Sequence, residues 1–336
     1  VGSEMCIRDR RCIMATINSF LEFMQVFPNE DSCIQYLEKK RWKDRIISPF
    51  DSTSTVYKCK NHKYRCKNTG KYFTVKTNTI FAKSKIPLIK WLYLIFIYTK
   101  HKRSLSSHQA ARDLGVTQKT AWYMMNKLRE LTKRQNESSP EDFAAVIWGC
   151  EIDESYIGGK NKNRHKNKKV EKCQGRSYKD KVPVFGILQR NGKLIAKVVE
   201  RTDMEHLLPI IKKYIKKGSV IYTDGLEYSG LTDDYIIRSV NHSARLYGYF
   251  EFDETDAMIM VCNNGIENAW SHLKRTIFGT YYHVSRKYMQ KYVDEYVFRF
   301  NTRKLRDSDR FHLYLQYIYA ASVSYTHLTL PTNSLV

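Results

Sequence analysis

The sequence predicts a multidomain protein of the α+β and α/β type. Helices, a small β-ribbon and a helix-turn-helix come first, and an α/β domain follows. At 336 residues the chain has room for two or so domains of roughly 150 residues each. Residues 136–142, NESSPED, form a polar, proline-containing stretch that interrupts the helical pattern and is typical of a linker. Beyond it, apolar strand patterns alternate with helical patterns, which indicates an α/β sheet.

The charge of the chain points to a polyanionic partner. There are 57 Lys and Arg against 34 Asp and Glu, which gives a net charge of +23. Such an excess is typical of proteins that bind nucleic acid. No run approaches the ~18 to 20 apolar residues of a membrane span, and the cysteines form no dense disulfide framework. We therefore expect a cytoplasmic, nucleoid-associated protein without a membrane partner.

The two ends of the sequence resemble translations of one and the same DNA adapter. Residues 5–10, MCIRDR, and 323–328, VSYTHL, resemble translations of the two strands of an adapter used in sequencing libraries. We expect residues 1–13 and 323–336 to be artefacts of this kind and Met14 to be the natural start. The alternative is an ordinary polar start and tail. With or without these two segments, the chain keeps its large excess of positive charge.

The first elements are a helical entry region at 14–47 and a β-ribbon at 48–82. Apolar residues recur at helical spacing up to Lys43, with Asn29, Asp31 or Ser32 as a cap before the second helix. Residues 48–82 are rich in turn formers and in alternating aromatic and β-branched residues, which favours short strands. The sequence thus predicts a zinc-ribbon-like fold.

Zinc is nevertheless not expected in this ribbon. A core this small usually needs a metal. However, no CxxC motif exists in the chain, six residues separate Cys59 from Cys66, and His62 is the other candidate ligand nearby. Aromatic packing is the better account of what stabilises the ribbon, with Tyr57, Tyr64, Tyr72 and Phe73 as its members.

A helix-turn-helix is predicted within residues 83–135. Ala110 and Ala111 are small where two helices must approach, Gly115 suits a sharp turn, and Thr117 can cap the second helix. Ala121, Met124 or Met125, and Leu128 would face inward. The outward set would read a DNA major groove and consists of Gln118, Lys119, Thr120, Tyr123 and Lys127. The alternative is a plain helical hairpin.

Three acids are the candidate catalytic residues of the predicted domain at 143–305. Asp153 ends its first strand, Asp224 ends a short central strand, and Glu267 lies in the first turn of a helix. Carboxyl ends of neighbouring strands converge at one sheet edge. Acids gathered there repel one another unless a cation sits among them, and hard oxygen ligands suit Mg²⁺ or Mn²⁺. Two such ions could hold a phosphate for displacement. The alternative is that each acid merely caps a turn or a helix.

Several motifs carry a family resemblance. The segments IDESYIGGK, YTDG, VNHS, NGIENAWSHLKR and GTYYHVS follow KIPLIKW and LGVTQKTAWYM in order. Together they resemble the DDE transposases of the fifteen-ninety-five (ISXO-two-like) group of insertion sequences, over about Ser32 to Lys304. The resemblance implies a ribonuclease-H-like domain that nicks element ends and transfers the 3′-hydroxyl to target DNA. It also implies double-stranded DNA as partner and a homodimer or higher oligomer.

The resemblance assigns roles to individual residues. Asp153 and Asp224 match the first two catalytic and metal-binding aspartates, and Glu267 matches the third acid. Asn264 is the competing candidate for that third position. Lys274 and Arg275 match basic residues expected to contact DNA. His242 and His283 match positions of unclear role, for which a structural role is the alternative.

The sequence also departs from the family pattern. Ser48, Asp51 and Thr69 stand where zinc-ribbon cysteines are common, and Cys262 stands where a histidine is usual. The basic stretch 160–181 is either a solvated loop or a contact for phosphates. Two rival functions remain open at this point: a DNA-binding regulator derived from a transposase without catalysis, and a nuclease without strand transfer.

Overall fold

The computed structural model describes residues 16–43, 45–133, 149–159, 161–171, 177, 179–224, 231–241, 244, 246–252 and 258–320. The two predicted adapter segments, the predicted linker at 136–142 and His242 lie outside the described residues. The chain divides into two compact units. One comprises residues up to 131 together with those from 305 onward, and the other comprises residues 132–304.

The first unit is mainly helical. Its helices are α1 (Phe20–Val26), α2 (Glu30–Trp42), α3 (Leu88–Lys100), α4 (Ser107–Leu114), α5 (Gln118–Lys133) and α9 (Asp307–Ala320). Ser19 and Glu22 form a reciprocal capping box at α1, and Asn29 Oδ1 accepts a hydrogen bond from Ser32 N at the start of α2. Asn29 is therefore the cap that was expected before the second helix.

The last helix of this unit was not predicted. Helix α9 packs against the buried helix α3, with the rings of Tyr98 and Tyr314 5.7 Å apart. The amide of Ile17 also donates to Ser308 Oγ at 3.1 Å. Residues near both ends of the chain thus share one core, a relationship that local periodicity does not encode.

A three-stranded antiparallel ribbon lies beside α2. Its strands are β1 (Val56–Lys58), β2 (Tyr64–Cys66) and β3 (Tyr72–Phe73), in the order β1-β2-β3. Tyr64 and Phe73 are buried, and the ring of Trp42 contacts both at 5.1 and 6.0 Å. The expectation that Tyr57 and Tyr72 also pack is wrong, because both side chains are exposed.

Polar side chains surround Cys66 in this ribbon. Hydrogen bonds from Ser48, Ser54 and Thr69 lower the pKa of the buried Cys66 thiol to about 6. Asp51 Oδ2 accepts a hydrogen bond from Asn68 Nδ2 at 2.7 Å. The amide of Asn68 also donates to Ser54 Oγ at 3.0 Å, so the residues that replace the expected cysteines belong to one hydrogen-bonded group.

Helices α4 and α5 are joined by a turn at Gly115, which has a left-handed backbone with φ 57°. Ser106 Oγ caps α4 and Thr117 Oγ1 accepts from Thr120 N at the start of α5. As expected, the inward set is buried, and both Met124 and Met125 belong to it.

The outward set of α5 needs one correction. Gln118, Lys119 and Tyr123 are exposed and Thr120 is half-buried, but Lys127 is only 7% exposed. Residues 124–129 are all buried, so this part of α5 is covered on more than one side. The stem of Lys127 lies within that packing, with Nζ 5.6 Å from the ring centroid of Tyr123.

The second unit is built on a mixed five-stranded sheet in the order β6-β5-β4-β7-β8. Its strands are β4 (Cys150–Ile157), β5 (Val182–Gln189), β6 (Leu194–Val198), β7 (Val220–Thr223) and β8 (Ile236–Ser239). Strand β5 is antiparallel to both of its neighbours, β4 and β6, whereas β4, β7 and β8 run parallel to one another. A further hairpin, β9 (Tyr249–Phe252) and β10 (Met258–Val261), was not predicted.

Helices cover both faces of this sheet. Helix α6 (Met204–Tyr214) packs on one face against Cys150 and Ile152 of β4. Helices α7 (Asn264–Thr276) and α8 (Arg286–Asn301) pack on the other, where Ile157 of β4 contributes. The alternation along β4 places Glu151, Asp153 and Ser155 on the α7 face. Within the described residues, none of the helices combines the length and apolar composition that a membrane span requires.

Candidate active site

Two of the predicted catalytic acids lie level on neighbouring parallel strands. Glu151 of β4 pairs with Tyr222 of β7. Asp153 and Asp224 each follow two residues later, so their backbones reach the same height of the sheet. The prediction that Asp153 ends its strand is wrong, because β4 continues past it to Ile157. Asp224 directly follows the last residue of β7, as expected, and the register of the two strands still brings both acids to one height.

The third acid comes from helix α7. Its buried residues Ile266, Ala269, Trp270 and Leu273 pack on the sheet face that carries Asp153. Glu267 occupies the first turn of that helix. The helix therefore brings Glu267 to the same side of the sheet as Asp153.

The surroundings of Asp153 disfavour its charged form. Burial is the main cause that raises the pKa of Asp153, to about 7, and the negative charges of Asp224, Glu154 and Glu267 raise it further. The backbone amide of Glu154 acts in the opposite direction. Asp153 thus lies in a site where negative charge accumulates and a cation would be favoured.

A cavity of about 370 Å³ opens beside Asp153 and Glu267. Its lining comprises Asp153, Glu154, Ser155, Glu267, Trp270, Ser271 and Lys274. Burial lowers the pKa of Lys274, while the charge of Asp153 opposes that effect. Two predicted catalytic acids and a predicted DNA contact therefore meet at one cavity.

The residues present fit a divalent cation. Carboxylate oxygens are the hard donors that Mg²⁺ and Mn²⁺ prefer. Burial, and after it the charges of Asp224, Glu154 and Glu267, raise the pKa of Asp153, and a bound cation would offset both effects. Ser155 Oγ and Trp270 Nε1 line the same cavity and are buried without a hydrogen-bond partner. The site thus has more polar atoms than its own side chains satisfy.

A different group has ligand atoms that lie closer together. Within the described part of the chain, only Asp203, Glu205 and His206 place three ligand atoms within 4.8 Å of one another. Asp203 caps α6 by accepting from His206 N at 3.1 Å, and the Nδ1 of His206 lies 2.5 Å from Asp203 Oδ1. Helix capping explains this exposed group, which does not line the cavity.

The structure separates the two candidates for the third position. Asn264 begins α7 and is exposed, and it does not line the cavity, whereas Glu267 does. Arg275 is exposed beside the half-buried Lys274, and His283 is exposed after α7. Cys262 contacts Arg190, whose NH2 lies 3.6 Å from its Sγ.

Sequence reasoning missed several residues that shape the site. Gly186 pairs with Asp153 across β4 and β5, and a Cβ there would lie 2.4 Å from Trp270 Cζ2. Glu151, which is 4% exposed, accepts a hydrogen bond from Ile266 N of α7 at 2.8 Å. The sequence did contain a signal for Glu151, which is an acid two residues before Asp153 and therefore lies on the same face of the strand.

Known proteins resemble this chain in ways that agree with the motifs. Residues 149–301 match the ISXO2-like transposase domain. A Halobacterium salinarum protein, described as an uncharacterized protein in transposable element ISH50, is 23% identical over 225 residues, 63% of this chain and 73% of that protein. An uncharacterized transposase-like protein of Haemophilus influenzae is 28% identical over 116 residues, 34% of this chain and 85% of that protein.

Proposed function

Because residues 149–301 match the ISXO2-like transposase domain, we propose that the protein is a DDE-type transposase. It binds the terminal repeats of an insertion sequence and catalyses metal-dependent DNA cleavage and strand transfer. The proposal is supported most strongly by the convergence of Asp153, Asp224 and Glu267 on one side of the sheet, where burial and, after it, the charges of the neighbouring acids raise the pKa of Asp153.

Asp153, Asp224 and Glu267 are the residues that would hold Mg²⁺ or Mn²⁺, with two ions expected. Bound there, the metal would supply Lewis-acid activation for displacement at a DNA phosphate. The side chain of Lys274, at the same cavity, would bind a phosphate oxygen of the DNA. Lys274 is half-buried, and its positive charge interacts with the charge of Asp153. Because less water surrounds the ammonium group there, a phosphate oxygen has less water to displace.

The first unit supplies the candidate DNA-reading surface. The exposed start of α5 carries Gln118, Lys119 and Tyr123, with Thr120 partly covered. Polar and basic side chains at the start of the second helix are what a recognition helix presents to base edges and phosphates. We therefore assign this surface to the terminal repeats, and we assign Arg275 to non-specific phosphate contact.

The remaining details follow from the same proposal. A ribonuclease-H-like catalytic domain is compatible with the mixed sheet and its helices. A homodimer or higher oligomer would be needed to join two element ends, and the working site would be the nucleoid. The net charge of +23 supports the simultaneous binding of element end and target DNA.

The test is an assay with labelled element ends, Mg²⁺ and a target plasmid. A transposase gives joined product, a nuclease gives only cut ends, and a DNA-binding regulator gives a shifted complex without cleavage. Joined product that requires the divalent ion is the expected result. Binding without cleavage at any Mg²⁺ or Mn²⁺ concentration would contradict the proposed activity.

A further inference from the structure

Helix α7 begins without a capping side chain of its own. Asn263, the residue before the helix, makes no side-chain hydrogen bond to the first turn. Instead, Glu151 of strand β4 reaches the helix start, where its Oε2 accepts from Ile266 N at 2.8 Å and the carboxylate also accepts from the amide of Gly265. The unpaired amides of a helix start favour such a negative group.

The sequence makes room for this contact. A Cβ at Gly265 would lie 2.6 Å from Glu151 Oε2, so any larger residue at this position would displace the carboxylate. Asn263 Nδ2 donates to Ile152 O at 3.3 Å and adds a second tie between α7 and β4. The start of the helix is therefore attached to the strand that carries Asp153.

Arg190 holds the other side of the same carboxylate. Its Nε lies 3.3 Å from Glu151 Oε1, and its guanidinium lies 3.5 Å from the ring centroid of Tyr222 in β7. The same guanidinium donates to Met260 O at 2.6 Å and to Cys262 O at 2.8 Å. Arg190 thus connects β4, β7 and the segment that leads from β10 into α7.

We infer that Glu151 and Arg190 are positioning residues that fix α7 on β4, so that Glu267 stays aligned with Asp153 and Asp224 for metal binding. This inference rests on the proposed function. Neither residue lines the cavity, and the lone pairs of Glu151 are directed to helix amides and Arg190. The pair acts on the metal through the position of Glu267, which lies one residue after Ile266.

The test uses the full chain and titrates Mn²⁺ alone by calorimetry. E151Q keeps the size of the side chain but removes its negative charge, and R190K keeps the positive charge but removes the forked guanidinium. Each should weaken Mn²⁺ binding by about tenfold or more, the usual effect of residues that support metal ligands. Affinity for labelled element ends should remain unchanged, because neither residue belongs to the DNA-reading surface.

A matched control distinguishes positioning from general stability. Arg299 and Glu295 form another buried ion pair in the same unit, with Arg299 NH1 2.8 Å from Glu295 Oε1. E295Q and R299K should lower the melting temperature by an amount similar to E151Q and R190K, while leaving the Mn²⁺ affinity within about twofold of wild type. If E151Q or R190K were to fold poorly, G265A provides an independent disturbance of the same contact, with G279A as its control.

The outcomes separate this inference from the proposed function. In one outcome the wild type binds Mn²⁺ and cuts element ends, and E151Q, R190K and G265A bind Mn²⁺ with the affinity of the wild type. The positioning role is then overturned, while the transposase activity stands. If the wild type neither binds Mn²⁺ nor cuts, the proposed function fails and the inference fails with it. If these three variants lose Mn²⁺ affinity while the control variants keep it, both the positioning role and the proposed transposase function are supported.

Discussion

Gly186 of β5 lies opposite Asp153 of β4, and the indole of Trp270 fills the space that the missing side chain leaves. A Cβ on Gly186 would lie only 2.4 Å from Trp270 Cζ2. Trp270 belongs to α7, three residues after Glu267. The glycine therefore determines how closely the helix that carries the third acid approaches the strand that carries the first.

We predict that G186A destabilises the protein by about 1 to 3 kcal/mol, because a core without spare volume must shift to accept an extra methyl group. Urea denaturation of the full chain measures the effect. The matched variant is G279A, where a Cβ meets no atom within 4 Å and should change stability little. Equal stabilities of G186A and wild type would show that α7 does not depend on this close approach.

The metal-free protein should lose stability as pH rises. Burial and neighbouring acids raise the pKa of Asp153 to about 7, against about 3.9 in an unfolded chain. Between these values the folded state binds more protons than the unfolded state, so stability falls with rising pH. D153N removes this penalty and should exceed the wild type by roughly 2 to 4 kcal/mol at pH 8 with a chelator.

Urea denaturation with a chelator at pH 4 and pH 8 measures this difference. The gap between D153N and wild type should be small at pH 4, where the carboxyl is protonated in the folded state and still about half protonated in the unfolded state. Saturating Mg²⁺ at pH 8 should narrow the gap by stabilising the wild type alone. A gap that is equal at both pH values would contradict the crowding of charge around Asp153.

Two lysines of α5 should behave differently. Lys119 is exposed and Lys127 is buried. K119A should weaken binding to element ends and reduce the salt slope of the affinity by about 1. K127A should lower the melting temperature and leave the salt slope unchanged. Fluorescence anisotropy at several salt concentrations measures the first effect, and a thermal melt measures the second. A salt slope that changes in K127A but not in K119A would show that the exposed start of α5 does not contact DNA.

Lys274 should matter for cleavage more than for overall DNA affinity. K274Q removes a half-buried positive charge at the cavity, and we expect cleavage to slow by about ten- to a hundredfold, the range of a lost charged hydrogen bond. The control is K217Q, since Lys217 is exposed and pairs with Asp234 away from the cavity. Single-turnover rates with labelled element ends measure both. Equal cleavage rates for K274Q and K217Q would show that Lys274 does not contribute to cleavage.

Part of this arrangement could be predicted from sequence because it depends on local pattern. Strand and helix periodicity placed Asp224 at the end of its strand and Glu267 in the first turn of a helix. It did not find the length of β4, which continues past Asp153 to Ile157. The turn at Gly115 and the cap at Asn29 follow from the conformations that these residues favour.

The rest depends on contacts between distant segments. The burial of Lys127, the return of α9 to α3, and the contacts of Arg190 with Glu151 and Met260 O join residues far apart in the chain. Nothing in the spacing around Glu151 distinguishes a carboxylate that caps a remote helix from one exposed to solvent. Only the sheet register and the missing side chain of Gly265 reveal its role.

The most direct test of the central claim compares D153N with D203N. Asp153 belongs to the proposed metal site, and Asp203 belongs to the exposed group that caps α6. Asparagine caps helices as well as aspartate does, so D203N should remain stable. We expect D153N to bind element ends normally but neither to cut nor to join them with Mg²⁺, whereas D203N should do both. Metal-dependent cleavage that persists in D153N, or that is lost in D203N alone, would contradict it.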